Sequence, residues 1–339
     1  MRAAVLEQDR SVTVRDLPAP EAEGWALVDV RAAGVCGTEL HFMDGMLPAP
    51  HHPFILGHEI AGIVRAAPAS GGVRVGDRVA VYNFIGCGEC HWCRTGRDSI
   101  CIAPQGQLGF TVDGGFAEVV RAPARNLIKL PDSVSFEDAA VLSCSGMTAV
   151  HAVRLAGVEL GHTAVVNGIG GVGLMVIQAL AASGARPIAV ADAESKASLA
   201  RSAGAVETIV LPRGEAYETL PDRVRELTTG AGADHFFELV GSGTTMLAGI
   251  RSLGRRGTCV LIGYTGEDLM VSPVELILSE LRIVSSVAAG QQDLITAIQL
   301  AADGRLSATI DTRYQIEGVG TALERLRARE VSGRNVLVF

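Results

Sequence analysis

Residues 25–33, WALVDVRAA, alternate apolar and polar positions with the period of a half-buried β-strand, and residues 76–82, GDRVAVY, repeat the pattern. Glycines and prolines interrupt this part of the chain often, as short strands joined by irregular loops require. Near Ser145 the texture changes. From Thr163 onward, brief aliphatic runs predict strands at 163–167, 187–191, 207–211, 233–239, 257–262 and 282–285. Helical stretches between them include 172–183, 196–203 and 215–228. Six strands with crossover helices predict a doubly wound parallel sheet, an α/β fold. Beyond about Gly290 the pattern gives a helix, a short strand, a second helix and a last strand at 335–339. That tail is expected to rejoin the β-rich part. The expected domains are therefore 1–145 with 289–339, and 146–288. No internal repeat or low-complexity segment interrupts them.

A length of 339 residues suits two domains, and 48% hydrophobic with 19% charged residues suits a globular protein with a large core. The formal net charge of −8 argues against a nucleic-acid partner, which calls for a basic face. No run of Lys and Arg suggests an anionic membrane surface. The first ten residues carry Arg2, Glu7, Asp9 and Arg10 and lack the apolar core of an export signal. The most apolar stretch, 164–182, is broken by Asn167, four glycines and Gln178, which predicts a buried strand-turn-helix instead of a membrane span. The expected compartment is the cytoplasm.

Seven cysteines in such a chain point to metal ligation before disulfides. Cys87, Cys90, Cys93 and Cys101 stand as C-x2-C-x2-C-x7-C. Two-residue spacers let turns aim successive thiolates at one tetrahedral zinc, a closed set that would hold a loop and do no chemistry. An iron–sulfur cluster is the rival on grounds of ligand softness. Cys36 in GVCGTELH, His58 in GHE and Cys144 in LSCSGMT would together leave a fourth zinc position open. They lie far apart in sequence, so spacing does not establish that site, and a cysteine taken singly is more often a small core residue. Cys259, inside an aliphatic run at 258–262, reads as a core thiol.

The motif Gly168-Ile169-Gly170-Gly171-Val172-Gly173 follows a predicted strand and opens a predicted helix. In a repeating β-α context it predicts a dinucleotide site, its glycines bringing pyrophosphate to the helix N-terminus. Asp192, 19 residues after the last glycine, is placed to accept hydrogen bonds from an adenine-ribose diol and to repel a 2′-phosphate. The competing reading of Asp192 is a helix cap. Counting back from Gly204 would instead put Ala191 in the acidic position; the count from the glycines, across one helix and one strand, selects Asp192.

In their order, GVCGTELH, LGHE, the four-cysteine loop and NGIGGVG resemble the zinc-containing alcohol dehydrogenases of the medium-chain dehydrogenase/reductase family, over nearly the whole chain. The resemblance implies a Rossmann domain plus a β-rich GroES-like catalytic domain, two zinc ions per chain, and NAD(H). It implies that Cys36, His58 and Cys144 hold a catalytic zinc, that Glu59 can approach it, and that Glu39 orients the histidine. It assigns Thr38 to the substrate oxygen, His41 to proton release, and Thr148 and Val172 to the nicotinamide ring. Arg334, in GRNV, resembles an arginine near the coenzyme pyrophosphate, while Gly37 stands where some members carry a second one. Leu47, Asn83 and Phe84 match the pocket wall by approximate position. The implied reaction is hydride transfer between a small alcohol or carbonyl and NAD(H). CGTELH resembles the polyol and threonine dehydrogenase branches, whereas Cys144 resembles the alcohol branch. A polyol or amino-alcohol dehydrogenase is the near alternative, and a non-catalytic NADH- and zinc-binding protein the distant one. The chain is similar in size to bacterial members that form tetramers, so a homotetramer is expected, with a dimer next.

Overall fold

A computed structural model describes residues 1–69, 71–212 and 217–339. The chain divides into two compact units, Met1–Met147 with Ala289–Phe339, and Thr148–Ala288.

The first unit is built on a seven-stranded sheet. Its strands run in the order Leu127–Lys129, Arg78–Val81, Glu59–Ala66, Ala26–Val35, Arg334–Val338 and Ile310–Tyr314, and Val119–Ala122 also pairs with Ala26–Val35. All pairings are antiparallel except the parallel one between Ile310–Tyr314 and Arg334–Val338. The predicted strand at 25–33 continues to Val35, because its far end is buried on both faces and the alternation stops there. The strand expected at 76–82 begins at Arg78, since the Asp77 carboxylate accepts the Arg74 N–H at 2.8 Å and closes a turn first. The strand Arg334–Val338 carries the C-terminal segment back against Ala26–Val35, with Val35 opposite Asn335 and Gly34 opposite Glu59.

The second unit is the doubly wound parallel sheet. Its order is Glu207–Val210, Arg186–Ala191, Thr163–Asn167, Ala233–Glu238, Leu253–Leu261 and Arg282–Ser285. Every pairing is parallel. Its central strands are buried along nearly their whole length, which is why they read as unbroken aliphatic runs. Helices Gly171–Ala182, Glu194–Ser202, Leu220–Leu227, Gly243–Arg251 and Pro273–Leu278 lie between them in sequence. Winding reverses direction between Thr163–Asn167 and Ala233–Glu238, where Asn167 sits opposite Glu238. The predicted helix 215–228 starts in residues outside those described; within them it is a short 3-10 turn, Tyr217–Thr219, followed by Leu220–Leu227. Pro221 suits the first turn of a new helix because it lacks the N–H an interior position would need. The apolar stretch 164–182 is a strand and a helix, as expected. One helical run among the described residues, Phe136–Ala156, has the length and apolarity of a membrane span, and 78% of its most apolar window is buried inside the protein.

At the opposite end of the strand Thr163–Asn167 from the glycine motif, His162 Nδ1 accepts the Glu159 N–H at 3.1 Å. His235 Nε2 lies 2.9 Å from the same nitrogen, and its N–H can donate to it. Burial, with the neighbouring His162 and Arg282, lowers the His235 pKa to about 4; Asp234 and Glu159 pull weakly the other way. The unfolded chain therefore binds a proton, with a pKa of about 6.5, that the native state refuses, and stability falls as pH drops from there towards about 4. His235→Phe should remove up to about one proton from the pH dependence of the thermal midpoint in this window. An unchanged slope in calorimetric scans between those limits would sink this account.

Candidate metal centres and coenzyme site

Two clusters of metal-ligating side chains form in the first unit. In the first, single ligand atoms of Cys87, Cys90, Cys93 and Cys101 all lie within 4.8 Å of one another. The Cys87–Cys93 and Cys90–Cys101 sulfurs are each 3.9 Å apart. A tetrahedron with Zn–S bonds of about 2.3 Å has edges of about 3.8 Å. A disulfide would need about 2.05 Å, and a multi-iron cluster spreads its thiolates further because the irons stand between them. Backbone N–H groups of Cys87, Cys90, Cys93 and Ala103 point at these sulfurs at 3.3–3.5 Å, so the loop already carries donors for thiolate charge. The thiols titrate apart. The Cys93 N–H draws Cys90 down to about 6, while burial pushes Cys93 up to about 12.

The second cluster joins Cys36, His58, Glu59 and Cys144, again within 4.8 Å. Cys36 directly follows the strand Ala26–Val35 and caps the helix Gly37–Met43. The Glu39 Oε2 accepts the Cys36 N–H at 2.8 Å, and its Oε1 accepts His58 Nδ1–H at 2.8 Å. That second bond fixes the tautomer and leaves Nε2 for a metal. Phe110 packs edge-on against the His58 ring at 5.2 Å. Cys144 sits in a π-helical turn, Leu142–Gly146, a local irregularity frequent at functional sites. The turn is stitched to the sheet by the Ile60 N–H, which donates to Ser143 Oγ at 3.1 Å.

Glu59 is fully buried, with its Oε1 3.0 Å from an Arg334 guanidinium nitrogen that also donates to Ser145 Oγ. The approach to Glu59 lacks hydrogen-bond alignment, and both carboxylate oxygens and Arg334 Nε are left without a hydrogen bond. Burial lifts the Glu59 pKa to about 8, against the pull of Arg334. A hydrogen bond from Cys144 holds Cys36 well below the ordinary thiol range and, shared between them, pushes Cys144 well above it. Burial would lower the His58 pKa, but the charges of Glu39 and Cys36 raise it well above the usual value. Two sulfurs, an imidazole and two carboxylates compete here for few protons, a donor set that a divalent cation satisfies.

Gly34 is required here by close approach: a Cβ on it would lie 1.9 Å from Glu59 Oε2. Gly34→Ala should displace Glu59, cost about 1–3 kcal/mol of stability, and lower the metal content of this cluster but not of the four-cysteine loop. Metal analysis beside thermal unfolding checks this; an unchanged zinc count and midpoint would refute it. Thr38 Oγ1 stands 3.8 Å from Cys36 Sγ, and His41 follows on the same helix, Gly37–Met43. Leu47 is half-buried, while Asn83 is buried with its side-chain oxygen unbonded.

In the second unit, the strand Thr163–Asn167 leads into Gly168 and the helix Gly171–Ala182. Gly168 adopts φ +104°, and a Cβ on Gly173 would lie 2.0 Å from the Gly168 carbonyl oxygen. Gly170 caps the helix without a side-chain bond and has open space where a Cβ would point. Uncapped N–H groups with room beside them fit a pyrophosphate. Val172 is the second residue of that helix, and Thr148 is buried in the helix Met147–Ala156. Asp192 directly follows the strand Arg186–Ala191, and its carboxylate pairs with Lys196 at 2.9 Å. The cap of the next helix is Ala193, so the capping reading of Asp192 falls away. Sequence reasoning missed Lys196, whose only signal is the i, i+4 spacing, and the Glu59–Arg334–Ser145 cluster, which has none.

Residues 22–132 match the family described as Alcohol dehydrogenase GroES-like domain, and residues 171–303 match Zinc-binding dehydrogenase. An alcohol dehydrogenase of Geobacillus stearothermophilus is 32% identical over 342 residues, covering 99% of each chain. The chain belongs to the zinc-type medium-chain dehydrogenase/reductase family. An NAD-dependent alcohol dehydrogenase of Sulfurisphaera tokodaii is 32% identical over 351 residues, covering 100% of both. The solved alcohol dehydrogenase of Aeropyrum pernix superposes with a TM-score of 0.91 at 32% identity, covering 100% of both chains. The GroES-like and Rossmann architecture of this medium-chain dehydrogenase follows the same assignment.

Proposed function

We propose that this medium-chain dehydrogenase is an NAD-dependent alcohol dehydrogenase with two zinc ions per chain. The observation that carries the reading is the convergence of Cys36, His58, Glu59 and Cys144 within 4.8 Å, beside a separate all-cysteine set. Cys87, Cys90, Cys93 and Cys101 would hold a structural ion; Cys36, His58 and Cys144 would hold the reactive one. Bound there, zinc supplies Lewis acidity toward the substrate oxygen, and NAD supplies the hydride acceptor. Glu39 fixes the His58 ring, and Arg334 offsets the buried Glu59 charge. Thr38 hydrogen-bonds the substrate oxygen, and His41 passes the proton on. Gly168, Gly170, Gly171 and Gly173 shape the pyrophosphate turn, and Val172 and Thr148 flank the nicotinamide. Asp192 takes the adenine ribose. The 1–145 with 289–339 segment is then the catalytic domain and 146–288 the coenzyme domain.

Turnover of a panel of primary and secondary alcohols, polyols and amino-alcohols with NAD and with NADP tests the activity. Coenzyme binding with no turnover of any of them would overturn it. Preference for NAD is expected from Asp192, whose charge opposes a 2′-phosphate. Even about 2.7 kcal/mol of repulsion is a hundredfold in specificity, though the Lys196 pair offsets part of it. Asp192→Ala should narrow the NAD/NADP ratio of kcat/KM by tenfold or so. Equal use of both coenzymes by the wild type would remove Asp192 from this role.

A homotetramer, with a dimer as the next choice, is the proposed assembly. The exposed apolar residues Met270, Val274, Ile277 and Leu278 and the open edge strand Arg282–Ser285 support pairing of copies, and the chain length supports the tetramer. The cytoplasm is the proposed compartment.

A further inference from the structure

The buried carboxylate of Glu238 has no part in the scheme above. It ends the strand Ala233–Glu238 and is closed off from solvent. Its Oε1 accepts the Val240 and Gly241 N–H groups at 2.8 Å and the Thr245 hydroxyl at 3.0 Å. Its Oε2 accepts the Asn167 side-chain amide at 2.8 Å. Four donors converging on two oxygens describe an ionised carboxylate, since a protonated one would have to donate. Burial raises its pKa above the ordinary carboxylate value, and these donors hold back part of that rise. Among the described residues no Lys or Arg pairs with it. Its charge reaches its neighbours: after burial, it is the next influence raising the Tyr217 and Cys259 pKa values.

The position of this charge matters more than its burial. Glu238 and Asn167 are opposite one another at the ends of the two strands between which the sheet reverses its winding. Dinucleotides lie across the crevice at such a point. Asn167 runs directly into Gly168, and a Cβ on Gly168 would lie 3.2 Å from the Val240 side chain. Glu238 thus ties the glycine turn to the loop facing it. With Asp192 on the half of the sheet that takes the adenosine end, Glu238 opens the half left for the nicotinamide end.

We propose that Glu238 is a positioning and charge-setting residue of the coenzyme site, anchoring both walls of the crevice while its unpaired negative charge favours bound NAD⁺ over NADH. This rests on the NAD reading above. Hydride transfer brings two electrons and one proton to the nicotinamide and cancels its positive charge, so NADH carries one more net negative charge than NAD⁺. A fixed anion under the site penalises the reduced form, favouring binding of NAD⁺ and release of NADH, the direction of alcohol oxidation.

The test is titration of NAD⁺ and NADH separately, by calorimetry, into wild type and Glu238→Gln. The Gln side chain keeps the shape, and a turned Asn167 amide can accept from its NH2 group. The ratio Kd(NAD⁺)/Kd(NADH) should rise by about fivefold, the order of effect of a unit charge acting through a protein interior beyond contact distance. Loss of loop order alone would weaken both coenzymes by the same factor and leave the ratio unchanged. The double variant Asn167→Asp/Glu238→Gln exchanges acid and amide across the pair and should restore the wild-type ratio. It also decides the matter if Glu238→Gln does not fold. An unchanged ratio in Glu238→Gln, or a shift toward NADH in the folded double variant, overturns the proposal. Wild type that binds neither coenzyme overturns the NAD reading and this one with it.

Discussion

Cys36→Ser is expected to leave one zinc ion per chain where the wild type holds two, and to lower turnover by about 10³-fold or more while the fold survives. A serine oxygen is a poor replacement for thiolate on zinc, and Cys36 also bears the lowered thiol of its cluster. The Lewis acidity lost with that ion is worth several kcal/mol to the reaction. The fold should persist, because Cys36 lies just past the strand Ala26–Val35, whose pairings with Glu59–Ala66 and Arg334–Val338 do not include it. Cys90→Ser should behave in the opposite way, with most activity per folded molecule retained and a markedly lower thermal midpoint. Its cluster is closed by four sulfurs, so metal binding there contributes folding free energy and no chemistry. Elemental analysis beside thermal unfolding and kinetics separates the two. Carefully prepared wild type with one zinc, or none, would refute the scheme.

Thr38→Ala should slow alcohol oxidation by more than about a hundredfold at every pH, since it removes the hydrogen bond at the reacting oxygen itself. His41→Gln should be milder, no more than about a hundredfold, and worst near neutral pH. Both side chains lie on the helix Gly37–Met43, three residues apart and so on neighbouring positions of one face. A hydroxyl both accepts and donates, so Thr38 can take the substrate proton and hand it toward His41. Added imidazole should restore part of the rate in His41→Gln and none in Thr38→Ala. A wild-type pH–rate profile in His41→Gln, measured where hydride or proton transfer limits turnover, removes His41 from the relay.

The parallel sheet was legible in the sequence because both faces of its central strands are covered, which writes them as aliphatic runs. The four-cysteine loop was legible because its ligands lie within fifteen residues and a turn suffices to gather them. The open cluster was not legible from spacing. Cys36, His58 and Cys144 come together only through strand register and the π-helical turn, and resemblance alone named them beforehand. Glu238 carried a faint signal, a carboxylate inside the apolar run ADHFFELVG, but its partner Asn167 depends on strand order, which no local pattern contains. Arg334 was expected at the coenzyme; in the structure one of its nitrogens is taken up by Glu59 and Ser145.

The first unit is discontinuous: Arg334 reaches Ser145 across 189 residues, and Thr148–Ala288 is threaded between them. A ribosome adding about 5–20 residues per second therefore spends roughly ten to forty seconds on that interval. During it Cys36, His58 and Cys144 have all emerged, but the guanidinium that neutralises Glu59 does not yet exist. Until then the nascent cluster lacks the guanidinium and the neighbouring strand Arg334–Val338 of its finished form, so its surroundings are completed only as the last residues are made.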